Sequence, residues 1–143
     1  MMGIIIALIS GALMSIQGVF NTQVTKQTSL WVSNSWVQFS ALLVCLGAWA
    51  FKDRQSFAKL WQIDHKYLLI GGVLGAFITL TVIMSMDRLG PAQAALLIVI
   101  AQLAVAYVIE LFGWFGTERA AFSWVKLLGF FIAIGGIVLF KLK

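Results

Sequence analysis

The sequence predicts an all-α membrane protein with five transmembrane helices per chain. Of its 143 residues, 62% are hydrophobic and only 10% are charged, which is too few charges to cover a soluble domain of this size. The charges also cluster, so that long uncharged stretches separate them, and each stretch can cross a hydrocarbon core of about 30 Å as a helix. Helices are the expected spanning structure because lipid offers no partners for unpaired backbone groups.

Five apolar segments are predicted to form a single transmembrane domain that occupies the whole chain. The predicted spans are residues 2–23, 33–51, 67–86, 90–111 and 123–141. The last span contains Lys126 near its start, where a lysine side chain can extend to the membrane interface. Residues 52–66 form the longest connection, and the spacing of Phe57, Leu60 and Trp61 predicts a short amphipathic helix at the membrane surface.

Composition and motifs disfavour several classes of function. Cys45 is the only cysteine, so no disulfide framework or cysteine metal cluster is expected. The sequence contains no phosphate-binding loop, zinc motif or Ser/His/Asp grouping, and we therefore expect no enzymatic activity, no cofactor and no metal. The net charge of +5 suits contact with anionic membrane lipids rather than with nucleic acid.

Polar side chains interrupt three of the apolar spans, and on each span they share one helix face at about 100° per residue. Because unpartnered polar groups at depth cost several kcal/mol, we expect them to converge on a substrate pathway. The alternative is a role as interhelical glue, worth about 0.6 kcal/mol per pair. The candidate pathway residues are Ser10, Gln17, Asn21, Asn34, Trp36, Gln38, Gln102 and Tyr107.

The centres of the predicted spans carry no Asp, Glu, Lys or Arg. This pattern disfavours a strongly cationic substrate and a voltage sensor. It favours a neutral or zwitterionic polar solute as the small-molecule substrate, or an ion coordinated by amides and hydroxyls. Glu110 is the deepest acid, about one turn from the end of the fourth span, and is a possible proton site. The alternative for Glu110 is an interfacial acid that pairs with Arg119 or Lys126.

Basic residues are divided almost evenly between the two sides of the predicted bundle, so the positive-inside rule only weakly favours a cytoplasmic N-terminus. Five helices are few for a pathway with two gates, and many transporters use two inverted repeats. We therefore expect an antiparallel homodimer, or a heterodimer with an oppositely oriented homologue. Gly129, Ala133 and Gly136 form a small-residue seam on the last span and are the predicted dimer interface.

Several stretches resemble a known transporter family. "LGPAQAALLIVIAQL" (residues 89–103) and "KLLGFFIAIGGIVLF" (residues 126–140) resemble the second half of an EamA-type repeat of the drug/metabolite transporter superfamily. "SIQGVFNTQ" (residues 15–23) and "ELFGWFG" (residues 110–116) are similar to the single-repeat, five-helix YdcZ-type branch. The glycine spacing of the last span also resembles the dimer-forming helix of small multidrug resistance proteins. The resemblance implies a multi-pass transporter of the inner membrane.

Two positions depart from the relatives' patterns. EamA-type repeats often have proline at the position of Gln102, and small multidrug resistance proteins carry a glutamate in helix one, where this chain has Gln17 and Asn21. Proton-coupled export of cationic drugs is therefore not expected.

The predicted function is a secondary transporter that exports or exchanges a small polar or neutral metabolite by alternating access. Two alternatives stay open: a dual-topology channel for small ions, and a non-transporting membrane subunit of a larger complex. A transporter saturates and exchanges its solute, whereas a channel gives unitary currents and unsaturable flux.

Overall fold

A computed structural model describes residues 1–141, and within that range every regular element is helical. The five α-helices are α1 (Met2–Gln27), α2 (Leu30–Ala48), α3 (Gly71–Leu89), α4 (Pro91–Phe112) and α5 (Trp124–Lys141). Four helical segments, which contain α1 to α4, are long and apolar enough to cross a membrane. Helix α5 has 18 residues, near the lower end of the about 17–25 that a spanning helix needs. The all-α membrane fold expected from composition is confirmed.

Helices α1 and α2 both extend further toward their connection than the sequence predicts. Helix α1 ends at Gln27 rather than at residue 23, and α2 begins at Leu30 rather than at residue 33. The side chain of Ser29 accepts a hydrogen bond from the backbone N–H of Val32 at 3.2 Å, which caps the start of α2. Hydropathy locates the apolar stretch, whereas the cap determines where the helix begins.

The connection between α2 and α3 is wound into three short helices. Trp49–Asp53 is a π-helical turn that continues α2, and it ends at Arg54, whose φ of 48° is left-handed. A 3₁₀ helix, Phe57–Gln62, lies where the amphipathic helix was expected, and its aromatic and leucine side chains are exposed. A second 3₁₀ helix, Lys66–Ile70, leads directly into α3.

The chain groups into two compact units, Met1–Arg88 and the part that begins at Leu89. In the first unit, α1 and α2 pack together near their short connection, and α3 contacts both. Its buried residues are few and largely polar, namely Gly18, Asn21, Thr22, Ser33, Asn34, Ile83 and Met86. This inverted distribution suits a membrane, where apolar side chains are solvated by lipid and polar groups need partners within the protein.

Helix α3 contacts α1 at a glycine. Gly18 lies against the end of the Met86 side chain, so that a Cβ atom at position 18 would stand 2.6 Å from both Sδ and Cε of Met86. Further along, Lys26 on α1 forms a solvent-exposed ion pair of 3.7 Å with Asp87 on α3. The absence of a side chain at Gly18 is therefore what allows the two helices to approach.

The second unit is a hairpin of α4 and α5. Gly113 directly follows α4 and caps it, and its φ of 65° is in the left-handed region that glycine adopts without strain. The chain then folds back onto the last turn of α4: the N–H of Ala120 donates to the carbonyl of Glu110 at 2.9 Å, and Nε of Arg119 donates to the carbonyl of Leu111 at 3.0 Å. These bonds satisfy carbonyls that a helix end leaves without partners.

Candidate functional site

A shallow groove along α1 contains two of the predicted pathway residues, Gln17 and Asn21. Its volume is about 410 Å³, and it is lined by Leu13, Met14, Ile16, Gln17, Phe20 and Asn21. Gln17 is exposed, whereas Asn21 is only 8% exposed. Neither side-chain amide forms a hydrogen bond with any residue in the described range 1–141. The two amides one turn apart are thus the polar groups of an otherwise apolar groove, and their donors and acceptors are free to meet another molecule.

The amides of α2 have a different environment, because they bond to α3. Nδ2 of Asn34 donates to the carbonyl of Ala76 at 3.2 Å, and Nε2 of Gln38 donates to the hydroxyl of Thr79 at 3.2 Å. Nε2 of Gln38 also lies 3.5 Å from the carbonyl of Gly75 and from Oδ1 of Asn34. The small residues of α3 leave these carbonyls accessible. Within this unit, Asn34 and Gln38 join α2 to α3 and match the glue alternative.

Sequence reasoning did not identify Ser33 as a contributor to this polar region. Its hydroxyl donates to the backbone carbonyl of Asn21 at 3.0 Å, and both residues are buried. The hydroxyl of Thr79 also belongs to this region, because it accepts from Gln38 and donates to the carbonyl of Gly75 at 3.0 Å. The sequence signal for a role of Ser33 is its position beside Asn34 at the polar end of α2.

Three further pathway candidates are exposed and do not line the α1 groove. Ser10 is exposed on α1. Trp36 is 62% exposed, and its ring lies 6.1 Å from that of Phe39, in an apolar surface groove of α2. Gln102 is exposed on α4 in the second unit. The role of these residues in a pathway stays a prediction.

In the second unit, Glu110 and Tyr107 belong to a polar cluster near the α4–α5 turn. Nζ of Lys126 lies 3.3 Å from Oε2 of Glu110 and 5.7 Å from the centre of the Tyr107 ring. The Tyr107 hydroxyl accepts from the N–H of Ser123 at 3.1 Å and lies 3.4 Å from the Ser123 carbonyl. Lys126 is one of the two partners expected for an interfacial acid, and the role of Glu110 as a proton site stays a prediction.

The predicted dimer seam on α5 is open. Gly129, Ala133 and Gly136 are all exposed, and a Cβ atom at either glycine would meet nothing within 4 Å. Gly129 also lines the cleft between α5 and α4. Within the described range of the chain, the seam thus offers a shallow surface with room for another helix, and its role in a dimer stays a prediction.

These helices, with their exposed apolar surfaces and polar contacts, define a multi-pass membrane protein. The family described as "Putative inner membrane exporter, YdcZ" matches residues 2–139, and the chain belongs to this family of the drug/metabolite transporter superfamily. The resemblance to the YdcZ-type branch is therefore confirmed, as is a multi-pass location in the inner membrane. The family description is that of an exporter and not of an enzyme. No curated protein and no solved structure matches the chain significantly.

Proposed function

We propose that the chain is one half of a secondary exporter that moves a small polar or neutral metabolite by alternating access as an antiparallel dimer. The observation that carries the proposal is the α1 groove, where Gln17 and Asn21 present unengaged amides. An amide withdrawn from water without a partner costs roughly 2 kcal/mol or more. Asn34 and Gln38 avoid that cost by bonding to α3, so Gln17 and Asn21 are the candidate pathway amides of the first unit that remain for a solute.

The chemistry of the groove supports an uncharged or zwitterionic solute. Its lining contains two primary amides and four apolar side chains, and no ionisable group. Amides donate and accept hydrogen bonds equally well, so they suit hydroxyl, amide or carbonyl groups of a metabolite. A strongly cationic solute would meet no carboxylate there, which fits the absence of acids from the centres of the spans.

The open surface of the chain supports assembly of two copies. Most apolar side chains of the described helices are exposed. Inverted repeats with a shared central site are a common transporter design. A second copy inserted in the opposite orientation would supply the facing half of the pathway.

Substitution of the α5 seam tests the proposed dimer. We expect Gly129→Leu and Gly136→Leu to lower the dimer fraction in detergent, because a leucine at either site prevents close approach of helices. Gly135→Leu is the matched control, since Gly135 also has nothing within 4 Å but lies about 100° from Gly136 around the helix. Site-specific crosslinking and light scattering would measure the dimer fraction. Equal loss or equal tolerance at all three sites would exclude this seam.

Exchange in vesicles tests the transport activity itself. Purified protein reconstituted into vesicles would be screened with a panel of neutral and zwitterionic amino acids and sugars, each preloaded on one side. We expect one class to show saturable uptake that an internal load of the same solute accelerates. Unsaturable flux with unitary currents in planar bilayers would establish the channel alternative, and flux equal to that of empty vesicles for the whole panel would favour a non-transporting subunit.

A further inference from the structure

A cleft between α4 and α5 contains none of the residues that line the α1 groove, on which the proposed pathway rests. Its volume is about 540 Å³, within the range of about 300–1,000 Å³ typical of ligand pockets. The cleft belongs entirely to the second unit. Its lining is mostly apolar and comprises Leu103, Ala104, Ala106, Tyr107, Val108, Glu110, Lys126, Leu127, Gly129 and Phe130.

The polar groups of the cleft are gathered at one end. Glu110 lies near the end of α4 and Lys126 near the start of α5, so both stand next to the turn that joins the helices. Trp114 and Trp124 are exposed on either side of this turn, as is typical of residues at a membrane interface. Leu103 and Phe130 lie further along their helices, toward the hydrocarbon core. The cleft is therefore polar at the interface and apolar at depth, as a phospholipid is.

The charges at the polar end form a pair that retains binding capacity. Lys126 and Glu110 are 3.3 Å apart, and their side chains are 53% and 49% exposed. One ammonium has three donors and one carboxylate accepts several hydrogen bonds, so the mutual contact leaves most of their capacity unused. The ammonium of Lys126 can bind a negatively charged group, and the carboxylate of Glu110 can bind a positively charged group. The pair is therefore complementary to a zwitterion whose negative group faces Lys126 and whose positive group faces Glu110.

We propose that this cleft binds a phospholipid whose zwitterionic headgroup carries a primary ammonium. The headgroup phosphate lies against Lys126, the ammonium donates to Glu110, and one acyl chain lies along the apolar wall near Leu103 and Phe130. A choline headgroup has no N–H to donate to the carboxylate. A headgroup with net negative charge can bind Lys126, but the nearby carboxylate of Glu110 repels it. The pair thus selects phosphatidylethanolamine over phosphatidylcholine and phosphatidylglycerol.

Thermal stabilisation of the delipidated, full-length protein in detergent tests this proposal, with dioleoyl forms of the three phospholipids as probes. We expect phosphatidylethanolamine to reach half-maximal stabilisation at roughly tenfold lower concentration than phosphatidylcholine, as one charge-assisted hydrogen bond implies. Soluble phosphoethanolamine, which lacks acyl chains, is expected to give no shift at the same concentrations. Equal effects of the three lipids, or an equal effect of phosphoethanolamine, would overturn the proposal, the latter in favour of a small-solute site.

Variants locate the binding site. Glu110→Gln is expected to abolish the preference for phosphatidylethanolamine over phosphatidylcholine, and Ala106→Phe to weaken binding of both lipids by narrowing the cleft. The control is Asp87→Asn, because the Lys26–Asp87 pair is similarly exposed but neither of its residues lines this cleft. Native mass spectrometry counts retained lipid directly, so a variant of lowered stability still reports selectivity. An unchanged preference in Glu110→Gln, or its loss in Asp87→Asn, would exclude the cleft.

Discussion

Gly18→Leu is expected to destabilise the protein more than leucine at any other glycine of α1. A Cβ atom at this position would stand 2.6 Å from Sδ and Cε of Met86 and 3.3 Å from Cγ1 of Val82. The end of a methionine side chain can move to accommodate the single methyl group of alanine, but a leucine forces α1 and α3 apart. Overpacking of this kind costs about 1–3 kcal/mol, and thermal unfolding of purified protein in detergent measures it.

Gly11→Leu is the matched control for this substitution. Gly11 lies about two turns before Gly18 on nearly the same face of α1, yet a Cβ atom there would meet nothing within 4 Å. We expect Gly11→Leu to leave the unfolding temperature nearly unchanged, and Gly18→Ala to fall between the two leucine variants. Similar destabilisation by both leucine variants would mean that leucine perturbs α1 itself rather than its contact with α3.

The contrast between Gly11 and Gly18 shows where prediction from sequence ends. Helical periodicity places both on one small-residue face of α1, and hydropathy identifies the helices well because lipid imposes strong constraints on length and composition. Whether Gly11 or Gly18 contacts α3 depends on where the two helices cross. No local sequence pattern encodes that crossing point. For the same reason, the left-handed Arg54 after the π-helical turn has no signal in composition.

The candidate site shows the same division. Periodicity correctly places Asn34 and Gln38 on one face of α2, because both bond to α3. It cannot distinguish these amides from Gln17 and Asn21, which have the same chemistry and spacing. The difference arises from the partner, since α3 offers accessible carbonyls at Gly75 and Ala76. The three-dimensional contacts therefore separate amides that the sequence places in one class.

That separation leads to opposite expectations for the two pairs of amides. We expect the double variant Gln17→Ala/Asn21→Ala to fold and dimerise almost normally. Its flux per folded molecule should fall by about tenfold or more, because the solute loses one or two hydrogen bonds. Asn34→Ala and Gln38→Ala should instead lower stability by about 0.6–1.7 kcal/mol each. Flux normalised to folded protein, measured beside thermal unfolding, distinguishes the two effects.

Gln23→Ala is the control for the loss of an amide from α1. Gln23 is exposed and lies about 120° around the helix from Gln17, outside the groove, so its loss should change neither flux nor stability. Ile16 is unsuitable as an apolar control, because it lines the groove together with Gln17 and Asn21. Normal flux per folded molecule in the double variant would assign Gln17 and Asn21 to contacts between helices or copies. Reduced flux in Gln23→Ala as well would indicate a general effect on α1, since Gln23 does not line the groove.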